Sequence, residues 1–259
     1  MIITWELLDG RYSRGEREVE PMTTTAHFAQ NNGVEIHYLD TGEQSPLTPV
    51  LICPGLSETA AEYEELIAYL SPRRCVVLSF RGRGQSGTPQ SGYDLEDHVS
   101  DMEAVVRASG LKKFHLYAYS RGVSYALGYL QHHGGRVQSV IVQDYPAQHK
   151  AMSEEWAEDY IHNYLIPYER TSHIRSEAVW GIQKESRQVH FQYGIDQAAL
   201  VLRGLLEGSL LDDEGVQQYS QMMTQITVEG FEHSDHDIRS AEQDKLFDVI
   251  QTFLNDHDV

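Results

Sequence analysis

The sequence predicts an α/β domain: a mostly parallel, twisted sheet of about eight strands flanked by helices, with a small helical lid. Two observations carry that expectation. Short apolar runs alternate with helix-period segments along most of the chain, and one long aromatic-rich interval interrupts the alternation. The 259 residues, 41% of them apolar, are ample for a buried core and argue against a disordered chain.

The elements follow in order. Residues 1–21 are charged and aperiodic, and are expected to form an N-terminal extension outside the fold. Thr23-Thr24-Thr25-Ala26-His27-Phe28 reads as a first strand, Asn31-Asn32-Gly33 as a hairpin turn and Val34-Glu35-Ile36-His37-Tyr38 as its partner strand. Further strand runs stand at Val50–Cys53, Cys75–Ser79, Phe114–Tyr117, Ser139–Gln143, Ala199–Arg203 and Gln225–Val228. Helical patterns lie near 58–70, 95–109, 121–133, 212–222 and 241–255. Between Asp144 and Gln197 the chain is rich in Trp, Tyr, His and charge, with helical rather than strand character. An insertion after the C-terminal end of a strand sits where open α/β sheets bind ligands. Residues 22–145 and 197–259 are therefore expected to form the core, and 146–196 a helical lid.

Net charge is −19, with 39 acidic against 20 basic residues, a field that repels a phosphate backbone and disfavours nucleic acid as a partner. Cys53 and Cys75 sit inside apolar runs, as small core residues do, and suggest no disulfide framework. No stretch approaches the roughly 20 apolar residues that span a bilayer, and the N-terminus lacks the pattern of a signal peptide. The default expectation is a cytoplasmic protein, not bound to membrane, acting on a small molecule; the sequence leaves the oligomeric state unknown. The histidines, including the pair His132-His133, lack metal-ligand spacing, so neither a metal nor a cofactor is expected.

One junction carries chemistry. Phe114-His115-Leu116-Tyr117 reads as a strand and Val123–Leu130 as a helix, and Ser120 stands between them in Ala118-Tyr119-Ser120-Arg121-Gly122. A sharp strand-to-helix turn projects the central hydroxyl into the cleft at the cost of backbone strain, and demands small residues two places away on either side. Ala118 and Gly122 meet that demand. The helix opening at Arg121 points free backbone amides at the position where an oxyanion would develop. Alone, such a pentad is weak and also fits an ordinary helix N-cap; the strand before it and the helix after it favour a nucleophile.

With these residues in view, the sequence resembles the α/β-hydrolase superfamily over roughly residues 22–256. Cys53-Pro54-Gly55-Leu56 stands where the family carries His-Gly and its second oxyanion donor, which implies the Leu56 amide for that role although Pro54 replaces the His. Ser79-Phe80-Arg81-Gly82-Arg83-Gly84-Gln85-Ser86 is similar to the family's Asp-x-Arg-Gly-x-Gly-x-Ser turn, with Ser79 in place of Asp, and implies a scaffold role for Arg81 and Arg83. Gly92-Tyr93-Asp94-Leu95-Glu96-Asp97 leads into the next helix as in the family, with Asp101 on that helix read as structural.

A serine hydroxyl needs an adjacent base, and the base an orienting carboxylate. The resemblance places the base in the loop after the last strand. There His236-Asp237-Ile238 matches the common Gly-His-Asp-Ile ending, with Asp235 for Gly, while His233 matches a Gly-x-x-His version counted from Gly230; His236 is favoured. The acid is Asp144, directly after the sixth strand in Gln143-Asp144-Tyr145-Pro146, or Glu207, after Gly204, where most of the superfamily has its Asp. Asp144 is preferred as the shorter, stiffer orienter. The implied activity is hydrolysis of a small carboxylic ester or lactone through an acyl-enzyme on Ser120. The alternatives are hydrolysis of a carbon–carbon bond in a diketone-type substrate, or a non-catalytic ligand-binding member of the fold. A serine nucleophile disfavours haloalkane dehalogenase and epoxide hydrolase chemistry, which use Asp.

Overall fold

The structure is a computed structural model and describes residues 24–42 and 45–258. The expected N-terminal extension, 1–21, lies outside the described residues.

The strands are β1 (Thr25–Asn31), β2 (Val34–Asp40), β3 (Val50–Cys53), β4 (Cys75–Leu78), β5 (Phe114–Tyr119), β6 (Val137–Gln143), the two-residue β7 (Gln148–His149) and β8 (Val189–His190), β9 (Ala198–Gly204) and β10 (Ile226–Phe231). The helices are α1 (Glu64–Tyr69), α2 (Leu95–Ser109), α3 (Arg121–His133), α4 (Trp156–Tyr160), α5 (Ser176–Glu185), α6 (Asp213–Met222), α7 (Ile238–Ala241) and α8 (Gln243–Asp256). The main sheet has eight strands in the order β1-β2-β4-β3-β5-β6-β9-β10. The β1–β2 hairpin is antiparallel and meets β4 antiparallel; every pair from β4 to β10 is parallel. Asn32 and Gly33, both at positive φ, close the hairpin as the Asn-Gly signal predicts.

Connections from β3 run to β4 on one side and onward to β5 on the other, so the order reverses between β3 and β5. The loops after those strands diverge and open a crevice at their C-terminal ends, the binding position of open α/β sheets. Leu56 leaves one of these strand ends and Ser120 the other.

The pleat sends alternate side chains to opposite faces. Leu51, Cys53, Val76, Leu78, Leu116 and Ala118 point to a core roofed by α2, α3 and α6. Val50, Ile52, Cys75, Val77 and Tyr117 point to a second core under α1 and α8. Each fully buried aliphatic side chain there contributes about 1.5–3 kcal/mol. Both thiols are free and buried, and burial pushes that of Cys75 up to about 12.

One segment differs from expectation: that near 58–70 is a 3₁₀ turn, Ala60–Tyr63, followed by α1, whereas the last helix, expected near 241–255, is α8, with the one-turn α7 before it. The lid also carries strand structure that helical patterning did not suggest: β7 pairs antiparallel with β8 and draws its two ends together. Two-residue strands are too short to show a period. Within the lid α4 continues as a π-helical turn, Ile161–Leu165, and a small apolar cluster of Ala157, Ile161, Leu165, Ile174, Ala178, Val179 and Ile182 packs on Tyr93 and Leu56. Among the described residues, no helix is long and apolar enough to cross a membrane.

Candidate active site

Ser120 occupies the turn between β5 and α3 with φ 53° and ψ −134°, a left-handed conformation that side chains rarely adopt. The turn persists because its surroundings fix it. Ser120 N donates to Gln143 O at 3.0 Å, and Val123 N donates to Ser120 O at 2.9 Å. A Cβ on Gly122 would come within 2.4 Å of Pro54 O and 2.6 Å of Cys53 O, so only glycine lets α3 approach the strand end that carries Leu56. A Cβ on Gly55 would stand 3.3 Å from the Cβ of Ser120. The Leu56 and Arg121 amides, expected as oxyanion donors, both belong to this junction. Among the described residues neither donates a hydrogen bond to a protein acceptor.

His236 reaches Ser120 from the loop after β10. Its Nε2 lies 2.9 Å from Ser120 Oγ, and its Nδ1 lies 2.7 Å from Asp144 Oδ2. A carboxylate only accepts, so Nδ1–H donates to Asp144, and the lone pair of Nε2 is left to accept from the serine hydroxyl. The ring stacks on Tyr119 at 5.0 Å, and the Tyr119 hydroxyl donates to the His236 carbonyl at 3.2 Å. The loop comes this close because Gly204 ends β9 without a side chain: a Cβ there would stand 2.0 Å from Asp235 O.

Asp144 leaves β6 with φ 48° and is fully buried. Besides His236 it accepts from Ser209 Oγ at 2.5 Å, from the Leu210 amide at 2.9 Å and from the Gly204 amide at 3.3 Å. Four donors hold its carboxylate in place, which offsets the cost of burying the charge.

The two alternatives lie elsewhere. Glu207 is exposed in the loop after β9. His233 is also exposed, and its backbone amide donates to Glu242 at 3.0 Å. Sequence reading missed Ser209, Tyr119 and the Leu210 amide as supports of the site. No local pattern marks them, because their partners are distant in sequence.

A second Ser–His contact joins α3 to β7. Ser124 Oγ is 3.0 Å from His149 Nδ1, and His149 Nε2 is 3.6 Å from Asp94 Oδ1. Its chemistry is different. Ser124 donates its proton to Arg121 O at 2.8 Å, and Arg121 Nη2 donates toward His149 Nε2 at 3.3 Å. His149 is then an Nδ1–H donor to Ser124 and offers it no lone pair. Both side chains are fully buried, and desolvation followed by the Arg121 charge pushes the His149 pKa down to about 3. This network ties α3 to the base of the lid.

The Arg-Gly-x-Gly turn is held from beneath. Arg81 donates to Asp101 through Nε (2.9 Å) and Nη2 (2.6 Å), while Arg83 Nε donates to Leu56 O at 3.0 Å. Ser79, where the related turn has Asp, accepts from the Ala60 amide at 2.9 Å. Of the lid aromatics, Trp156, Tyr160, Tyr164 and Tyr168 form a continuous stack, and Tyr160 donates to Ser57 Oγ at 2.8 Å beside Leu56. Phe191 and Tyr193 instead pack into the core of the sheet. Among the described residues no group of three or more His, Cys, Asp or Glu side chains is arranged to hold a metal ion.

Comparison with known proteins agrees with this architecture. Residues 48–167 match a family model described as alpha/beta hydrolase fold. A cis-3-alkyl-4-alkyloxetan-2-one decarboxylase of Shewanella oneidensis is 27% identical over 128 residues, 48% of this chain and 39% of its own length. A proline iminopeptidase of Lactobacillus helveticus is 28% identical over 204 residues, 76% of this chain and 59% of its own. The chain thus spans about half the length of these curated relatives. Among solved structures, an esterase from Rhodococcus sp. ECU1013 superposes with a TM-score of 0.75 at 19% identity, covering 90% of this chain and 99% of that one, a likeness of fold.

Proposed function

We propose, from the premise that this chain is a member of the α/β-hydrolase superfamily, that it is a serine hydrolase cleaving a small carboxylic ester or lactone through an acyl-enzyme. The observation that carries the reading is the chain of two short hydrogen bonds, Ser120 Oγ to His236 Nε2 at 2.9 Å and His236 Nδ1 to Asp144 Oδ2 at 2.7 Å. In this reading His236 takes the Ser120 proton as Oγ attacks the carbonyl carbon. Asp144 stabilises the imidazolium that forms and fixes its tautomer. The Leu56 and Arg121 amides receive the oxyanion, each worth about 3 kcal/mol of barrier. His236 then returns the proton to the leaving alkoxide, and water activated by the same nitrogen hydrolyses the acyl-enzyme.

An uncharged acyl or aromatic group suits the surroundings of Leu56, since Leu56, Met152, Trp156 and Tyr160 are partly buried hydrophobics packed against the same lid cluster. The test is labelling by a fluorophosphonate together with turnover of short p-nitrophenyl esters and lactones. Wild-type protein is expected to be labelled and active, and Ser120→Ala neither. An unlabelled wild type that binds a small ligand saturably would overturn the reading in favour of a non-catalytic receptor. A diketone cleaved much faster than any ester would move it to carbon–carbon bond hydrolysis.

A further inference from the structure

Two residues from opposite ends of the chain meet beside the serine. Glu58 follows the Leu56 turn by two positions, and Arg239 follows His236 by three. Glu58 Oε2 accepts from the Gly55 amide at 2.8 Å and from the Tyr63 hydroxyl at 2.6 Å, and Oε1 accepts from Arg239 Nη2. Arg239 also donates to Glu62 O at 3.2 Å and lies over the Tyr63 ring, 5.0 Å from its centroid. The Glu58 side chain is 9% exposed and that of Arg239 25%. Burial alone would lower the Arg239 pKa; the Glu58 carboxylate outweighs it, and the net shift is upward.

The carboxylate stands in an awkward place. A Cβ on Gly55 would lie 3.2 Å from Glu58 Oε2 and 3.3 Å from Ser120 Cβ, so the carboxylate oxygen stands within about 6.5 Å of the carbon that bears the nucleophile. A tetrahedral oxyanion formed on Ser120 would be repelled by that charge unless it were neutralised. What Glu58 supplies in return is order, since it pins Gly55 and thereby the peptide that carries the Leu56 amide.

We propose that Glu58 and Arg239 act as a positioning pair: Glu58 fixes the Leu56 turn, and Arg239 both neutralises that carboxylate and ties the turn to the His236 loop. The inference rests on the serine-hydrolase reading. It gives the two partners unequal weight. Glu58→Gln keeps an acceptor for Gly55 and removes the repulsive charge, whereas Arg239→Gln leaves the charge bare.

The test is the second-order rate of fluorophosphonate labelling for wild type, Ser120→Ala, Glu58→Gln, Arg239→Gln, Arg239→Lys and the double variant Glu58→Gln/Arg239→Gln, each with its melting temperature. Arg239→Gln is expected to be slowed about 30- to 100-fold and Glu58→Gln about threefold. The double variant is expected to recover to within about tenfold of wild type, with Arg239→Lys close to it. Recovery of the labelling rate beyond any recovery of the melting temperature is something a purely structural contact would not show. Wild-type labelling in Arg239→Gln, or a double variant slower than Arg239→Gln, overturns the inference while leaving the parent reading intact. Absence of labelling in wild type overturns the parent reading instead. Should Arg239→Gln fail to fold, Glu58→Gln slowed more than about tenfold overturns the inference, and Glu58→Gln within about threefold of wild type supports it.

Discussion

Ser120 and Asp144 leave neighbouring strands at the same level, and both do so with left-handed backbones, at φ 53° and 48°. The preceding residues, Tyr119 and Gln143, are register partners across β5 and β6. The Ser120 amide donates to the Gln143 carbonyl, so the two turns are built against each other. Strain at both positions is held in place by the sheet and aims two side chains at one histidine.

That strain has a measurable signature. Replacing Ser120 by Gly removes the Cβ that makes φ 53° costly, and is expected to raise stability by about 1 kcal/mol while abolishing labelling. Ser120→Ala keeps the strain and should abolish labelling without that gain. Urea unfolding of the two variants beside wild type checks the difference; equal stabilities would contradict it.

The acid is separable from its alternative by a single exchange. Asp144→Asn is expected to lower kcat by about 10³- to 10⁴-fold, because an amide in that position favours the wrong imidazole tautomer. Glu207→Gln and His233→Gln, at exposed positions outside the site, are expected to leave kcat within about twofold. Steady-state ester hydrolysis distinguishes them, and a large loss in Glu207→Gln would transfer the role.

Gly204→Ala tests the placement of His236 without touching any functional group. The new Cβ would meet Asp235 O at 2.0 Å, so the His236 loop must move. Activity is expected to fall about 100-fold and stability by about 1–3 kcal/mol. A variant with wild-type kcat would show that the loop can be displaced without consequence.

Stability is expected to fall in mild acid through two buried histidines. Burial, more than any neighbouring charge, pushes His115 down to about 4 and His149 down to about 3. Unfolded histidines protonate near 6.5, so between that pH and about 4 the unfolded chain binds protons that the folded chain refuses. Above 6.5 neither state takes them, and there is no penalty. By about pH 5, roughly 1.5 units below the unfolded value, each site costs about 2 kcal/mol. Urea midpoints taken from about pH 7 to about pH 5 should decline, and His115→Gln should flatten the slope. Ser124→Ala, which removes the Ser–His contact between α3 and β7, is expected to cost about 1–2 kcal/mol and to leave labelling intact.

Much of the fold was legible because its signals are local. The runs at Val50–Cys53 and the helices at 95–109 and 121–133 are set by apolar period and by caps such as Asp94 and Gly110, which lie next to the residues they terminate. The broken helix after Thr59 and the β7–β8 pair were not legible. A 3₁₀ turn shares the apolar spacing of an α-helix over one turn, and a two-residue strand has no period.

The sequence by itself determined where a strained serine turn would stand, because Ala118, Ser120 and Gly122 carry that requirement within five residues. It could only offer pairs for the rest: His236 or His233, Asp144 or Glu207. Tertiary structure decided which histidine and which carboxylate stand beside Ser120, through the missing side chain of Gly204 and the shared level of β5 and β6. Tertiary structure alone brought Glu58 to Arg239 across 181 positions of chain. The physical reason is the same in each case. A turn is fixed by the residues within it, whereas a hydrogen bond between loops depends on how closely the backbones beneath them can pack.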